Sequence, residues 1–121
     1  MTKTILTVDD SRTMRDMLML ALSNAGYCVI QAEDGLQGLE VLQSSRPDVI
    51  ITDINMPRMD GFGFIAGVRG NVRHRAIPIL VLTTESDIEK KDKARRAGAT
   101  GWIVKPFDPI KLVEAVRRVA A

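Results

Sequence analysis

Little in this sequence favours a secreted, membrane-spanning or charge-driven protein. A single cysteine, Cys28, sits in an apolar stretch, so no disulfide can form within the chain, as fits a reducing compartment. Aromatic residues make up only 4% of the chain, so aliphatic side chains must fill the core. No apolar run approaches the ~18 residues of a membrane-spanning helix. Met1-Thr2-Lys3-Thr4 leads into four mostly apolar residues and then two aspartates, too short and too soon acidic for a secretory leader. With 17 basic and 15 acidic residues the net charge is +2, too balanced to recruit nucleic acid or a membrane by charge. There is no linker, low-complexity stretch or internal repeat. These absences lead us to expect a cytoplasmic protein with one domain spanning 1–121, a length that buries a core without staples.

What is present is a repeated alternation of short apolar runs and helical periodicity. Ile5–Val8 is a compact run ending in Asp9-Asp10. Met14, Leu18, Ala21, Leu22 and Ala25 then recur at helical spacing up to Gly26, a residue suited to the position after a helix. Tyr27–Ala32 reads as a strand, and Leu36, Leu39 and Leu42 mark a helix broken at Arg46-Pro47. Val49–Thr52 is a second run, ending in Asp53, and Phe62, Ile65 and Val68 predict a helix after Gly61. Ile79–Leu82 ends in Thr83-Thr84, and Asp87–Ala97 is a charged helix ending at Gly98. Trp102–Val104 ends in Lys105-Pro106, and Leu112, Val113, Val116 and Val119 mark the last helix. Continuous rather than alternating apolar runs predict strands buried on both faces. Five strand–helix units predict an α/β fold with a parallel sheet covered by helices, and ligands beyond the carboxyl ends of the strands.

Those ends carry the chemistry-bearing residues. In a parallel sheet Asp9, Asp10, Asp53, Thr83 and Lys105 share one edge. Three carboxylates together repel one another, and a hard cation such as Mg²⁺ relieves that with oxygen ligands. A lysine and a threonine hydroxyl beside them can, with the metal, neutralise the oxygens of a phosphoryl group in transfer. A carboxylate can be the nucleophile, giving an aspartyl phosphate. Each residue also has an ordinary reading. Asp10 or Ser11 can cap the first helix, and Asp53 can open a turn with Asn55, Pro57, Asp60 and Gly61. Lys105 can be a solvated lysine, and Thr83 a strand former. All of those readings would have to hold at once, at the same sheet edge.

Four ordered motifs carry a resemblance over essentially the whole chain: Val8-Asp9-Asp10-Ser11, Asp53-Ile54-Asn55-Met56-Pro57-Arg58-Met59-Asp60-Gly61, Leu82-Thr83-Thr84 and Lys105-Pro106-Phe107. The chain resembles the CheY-like receiver domains of two-component response regulators, and among them the stand-alone chemotaxis type. The resemblance implies a flavodoxin-like sheet of order 2-1-3-4-5 with five helices on its two faces, and no effector domain. It implies that Asp53 accepts a phosphoryl group from a histidine kinase. Asp10 would bind Mg²⁺ directly, with Asp9 helping through water, Asp53 in the set and the Asn55 carbonyl completing it. Thr83 would move its hydroxyl to the phosphoryl oxygen, Lys105 would pair with the phosphoryl group, and the Lys105-Pro106 bond would be cis. Asn55 and Glu85 occupy the positions that tune dephosphorylation, and this pair implies rapid self-dephosphorylation. Two ordinary loop polars are the alternative.

Trp102 stands where the family carries a switch aromatic, whose ring turns inward as the threonine moves; alone, it reads as a packing residue. The helix predicted over Asp87–Ala97 has only Ile88, Ala94 and Ala97 as apolar residues, so little holds it. With Trp102, Lys111, Arg117 and Arg118 it forms either a solvated face or a docking surface for an acidic or amphipathic partner. The resemblance gives residues 87–118 the flagellar motor switch as partner, and the stretch from Gly98 to Phe107 resembles chemotaxis regulators more than transcriptional ones. A phosphate sink for a shared kinase is the other role, and a monomer is the expected state. A haloacid-dehalogenase-like phosphohydrolase would need a second acid two residues after Asp53, where Asn55 stands. A nucleotide-binding module would need glycines in the first loop, which reads Asp9-Asp10-Ser11-Arg12-Thr13. The chain is therefore expected to catalyse only its own phosphorylation and dephosphorylation.

Overall fold

Each apolar run pairs with another in parallel, so all five strands point the same way. The computed structural model describes residues 2–120; the domain limits expected at 1 and 121 fall on residues outside those described. The elements are β1 (Thr4–Val8), α1 (Arg12–Asn24), β2 (Cys28–Ala32), α2 (Gly35–Ser44), β3 (Val49–Thr52), α3 (Gly61–Gly70), β4 (Ile79–Thr83), α4 (Ile88–Ala97), β5 (Gly101–Val104) and α5 (Pro109–Val119). The sheet order is β2-β1-β3-β4-β5, the flavodoxin-like order. The register aligns Val8 with both Ala32 and Thr52, and Thr83 with Val104, so the strand tips end together. The order reverses direction between β1 and β3, where sheets of this kind open a crevice for ligands.

The helices divide between two apolar layers. Leu18 and Leu22 of α1 pack with Leu112 and Val116 of α5 against Ile5, Val49, Ile51, Leu80 and Leu82. Leu42, Phe64, Ile65, Val68 and Ala94 cover the other face against Leu6, Ile50, Ile79 and Val81. The central strands β3 and β4 are buried throughout, as their unbroken apolar runs predict. The edge strand β2 is buried only at Ala32, and Cys28 is exposed. Cys28 is exposed although its stretch of sequence is apolar, because β2 has a neighbour on one side only.

Local chemistry sets the helix ends. Ser11, Asp34, Asp60, Asp87 and Asp108 are the N-caps of the five helices, each accepting a backbone N–H from the first turn. Asp87 is therefore the cap of α4 rather than its first residue. Gly26 and Gly98 take positive φ of 93° and 118° just past the ends of α1 and α4. The apolar stripe of α4 is thinner than expected: Ala94 is buried, but Ile88 is 74% exposed. Polar contacts compensate. Arg69 of α3 donates from Nε to the Gly98 carbonyl at 2.9 Å and from Nη1 to the Ile77 carbonyl at 2.6 Å, and Lys93 lies 4.3 Å from the centre of the Phe62 ring. Among the described residues no helix is long and apolar enough to cross a membrane.

Candidate functional site

Capping accounts for four of the aspartates at the carboxyl edge and leaves three others uncommitted to it. Ser11 Oγ takes the Met14 N–H at 3.2 Å and so caps α1, which relieves Asp10 of that role. Asp9, Asp10 and Asp53 converge, each offering a carboxylate oxygen within 4.8 Å of the others. Asp9 and Asp53 are buried and Asp10 is exposed. The strand tips under them are laced by backbone bonds: Asp9 donates to the Ala32 carbonyl (3.1 Å), Asp53 to the Val8 carbonyl (3.0 Å) and Lys105 to the Thr83 carbonyl (2.8 Å).

Lys105 joins two of the carboxylates. Its ammonium donates to Asp9 Oδ2 at 2.8 Å and to Asp53 Oδ2 at 2.7 Å. The other oxygens face backbone: Asp9 Oδ1 accepts from the Ser11 N–H at 2.9 Å, and Asp53 Oδ1 from the Ile54 N–H at 2.6 Å. Burial pushes the Asp9 carboxyl above the usual aspartate range, and the Lys105 hydrogen bond only partly opposes it. Burial also presses the Lys105 ammonium down, but its bonds to Asp53 and Asp9 outweigh that and hold it above the usual lysine range. The Lys105–Pro106 peptide bond is cis.

Thr83 is fully buried at the tip of β4, and its Oγ1 accepts from the Glu85 N–H at 3.4 Å. Glu85 is the hub of the loop that follows. Its Oε1 accepts from Asn55 Nδ2 at 3.3 Å and from Lys90 Nζ at 3.0 Å. Its backbone carbonyl accepts from Trp102 Nε1 at 3.2 Å. Lys90 and then Asn55 draw the Glu85 carboxyl below its usual range. The half-buried Trp102 is thereby tied to the same loop as Thr83.

All of the sequence-predicted site residues therefore gather at one end of the sheet: Asp9, Asp10, Asp53 and Lys105 at the centre, Thr83, Asn55, Glu85 and Trp102 around it. Three residues escaped the sequence reading. Lys90 reaches Glu85 from the first turn of α4. Arg15 Nη1 donates to the Asp9 carbonyl at 2.8 Å and steadies the turn after β1. Arg58, inside a motif singled out for other reasons, chelates Asp34 with Nε at 2.7 Å and Nη2 at 3.1 Å. Only Lys90 had a sequence signal, its closeness in the chain to Glu85; the other two contacts depend on how separate elements meet.

The comparisons agree with this geometry. Residues 5–117 match the profile described as "Response regulator receiver domain". The chemotaxis protein CheY1 of Helicobacter pylori is 41% identical over 95% of this chain and 94% of its own length. The structure of the Vibrio cholerae chemotaxis protein CheY4 superposes with a TM-score of 0.94 at 46% identity, covering 98% of this chain and 99% of that one. The receiver domain of a sensor histidine kinase from Pseudomonas aeruginosa, whose active site cleft coordinates a magnesium ion, superposes with a TM-score of 0.92 at 26% identity, covering 99% and 98%. The chain spans less than half the length of other curated relatives, such as 44% of a probable transcriptional regulator from Guillardia theta. The chain belongs to the response regulator receiver domains.

Proposed function

We propose that the chain takes a phosphoryl group from a histidine kinase onto Asp53, switches its surface between residues 87 and 118, and returns by hydrolysing the group itself. The observation that carries this reading is the Lys105 ammonium, bound to Asp9 and Asp53 beside a third carboxylate, Asp10. In transfer, an Asp53 carboxylate oxygen forms the new P–O bond. The P–N bond to the donor histidine breaks, and its electron pair leaves on the imidazole. Lys105 then pairs with the phosphoryl oxygens, and the Thr83 hydroxyl, in a long contact with the Glu85 N–H, turns to donate to one of them.

The family implies Mg²⁺, and the donor set fits it. Three carboxylates meet one ammonium, leaving net negative charge that a divalent cation balances, and the ligand atoms are hard oxygens. Asp9, Asp10, Asp53 and the Asn55 carbonyl would hold the ion, which would supply electrostatic neutralisation of the phosphoryl oxygens. Movement of Thr83 withdraws its oxygen from the Glu85 N–H and so reaches Trp102 through the Glu85 carbonyl. Phosphorylation thereby favours an inward Trp102 by differential contacts. Asn55 and Glu85, bonded to each other at 3.3 Å, are the residues that would orient the hydrolytic water.

For the output we propose chemotaxis signalling to the flagellar motor, by a stand-alone domain, supported by the likeness to the two chemotaxis proteins along nearly their full lengths. The test is transfer of labelled phosphoryl from a phosphorylated histidine kinase. We expect label on the chain, released by hydroxylamine as an acyl phosphate and lost in Asp53→Asn. Label that survives Asp53→Asn contradicts the assignment. Capture of partners by the phosphorylated form then separates motor signalling from a phosphate sink, which would retain none.

A further inference from the structure

The loop from Ile54 to Asp60 carries Asn55, whose carbonyl is the one uncharged donor in the proposed metal set, and something must hold that carbonyl in place. The candidate is a charge pair with one buried member. The Asp34 side chain is 5% exposed, while that of Arg58 is 56% exposed. Arg58 closes on Asp34 through two nitrogens, the fork geometry that fixes orientation as well as distance. Its backbone sits at φ 63°, a left-handed conformation uncommon for a residue other than glycine, asparagine or aspartate. A strained residue persists where its surroundings hold it: the Met59 N–H closes the turn across Arg58 on the Pro57 carbonyl at 2.7 Å, and the guanidinium ties that turn to Asp34. Asp34 is itself anchored: its Oδ1 caps α2 through the Gln37 N–H at 2.9 Å. The next residue, Gly35, donates to the Met59 carbonyl at 3.1 Å, and a Cβ there would lie 2.8 Å from that oxygen. At the far end, the Gly61 N–H returns to the Ile54 carbonyl at 2.8 Å. The loop is therefore fastened to the N-terminus of α2 on one side and closed on itself on the other, with Asn55 between.

We propose that Arg58, through Asp34, is a positioning residue for the metal site: the pair holds the Asn55 carbonyl ready and so sets magnesium affinity. This rests on the proposed magnesium site. The test is calorimetric titration of the full chain with MgCl₂, comparing wild type, Arg58→Gly, Asp34→Asn and the double variant. Glycine relieves the positive φ but also frees the loop backbone, so weaker binding is assigned to the lost pair only where Asp34→Asn, which leaves residue 58 unchanged, shows it too. Asparagine keeps the helix cap, so Asp34→Asn carries the test if Arg58→Gly fails to fold. Supporting groups around metal ligands typically change affinity by at least about tenfold, and we expect that loss in each single variant. We expect no further loss in the double variant, because one pair is removed in both. Phosphorylation at saturating Mg²⁺ should return to the wild-type rate. Affinity within about twofold of wild type in the single variants, the ordinary scatter between uncoupled sites, would overturn the proposal even if thermal stability falls. Failure of wild type to bind Mg²⁺, or binding that survives Asp10→Ala, would instead overturn the metal reading and this inference with it.

Discussion

Lys105→Met removes one ammonium while keeping much of the stem's volume, and it strikes the centre of the site. The Lys105 side chain is 10% exposed, and its partners Asp9 and Asp53 are 2% and 10% exposed. Two charge-assisted hydrogen bonds disappear, each worth about 1.5–3 kcal/mol. Two buried carboxylates are left facing each other, although proton uptake recovers part of the loss. We expect a net loss of about 3 kcal/mol in EDTA at pH 8, within the range for breaking a buried pair, or a midpoint lower by about 10 °C. The deficit should narrow towards pH 5. The carboxyl of Asp9, raised by burial, favours the folded state when protonated; its contribution is present below the ordinary 3.8 and lost as pH rises through the raised value. The pKa of Lys105 lies above 10.5, so the ammonium keeps its charge across that range and adds no slope of its own. Saturating Mg²⁺ should shrink the deficit, since binding to the folded state stabilises it. Urea denaturation followed by circular dichroism measures all three. A loss below about 1 kcal/mol in EDTA, the size of an exposed pair, or the same loss with and without Mg²⁺, would refute the reasoning.

Three further outcomes follow from named contacts. Gly61→Ala drives a Cβ into the Asp53 carbonyl oxygen and within 2.8 Å of Ile54 Cα; we expect a cost of about 2–3 kcal/mol in denaturant, and slower phosphorylation because Asp53 must shift. Glu85→Ala should lengthen the phosphorylated lifetime several-fold, read by loss of label over time, and a wild-type half-life of hours would contradict the proposed role of Asn55 and Glu85. The carboxyl of Asp34 lies below its ordinary 3.8 because of Arg58, so its stabilisation is present above 3.8 and lost as pH falls through the lowered value. Asp34→Asn should therefore flatten the acid limb of the stability–pH curve below about pH 4, and an unchanged limb would show that the pair carries no such linkage.

Legibility in the sequence followed the range of each interaction. β1, β3 and β4 were readable because a strand buried on both faces needs an unbroken apolar run. The start of α1 was readable from Ser11, which caps within one turn, whereas the capping aspartates of the other helices were not singled out as caps. The site was readable because parallel strands bring Asp9, Asp53, Thr83 and Lys105 to one edge whatever the loops do. The exposure of Cys28 was hidden because a residue pattern does not say which strand will be an edge. Ile88 looked like a core residue of α4, yet the helix meets its neighbours through Ala94, Arg69 and Lys93 instead. Arg58 and Asp34 lie 24 residues apart, and nothing local announces their pairing; only the approach of two loops at the sheet edge creates it.

The central claim is that Asp53 takes up a phosphoryl group with the help of a metal held beside it. Incubation with Mg²⁺ and phosphoramidate, followed by intact mass and Trp102 fluorescence, addresses it without any partner protein. The account expects one added phosphoryl group, absent in Asp53→Ala and absent in EDTA, with a fluorescence change that rises alongside it. No gain in mass with several small donors, or a gain that survives Asp53→Ala, would contradict it.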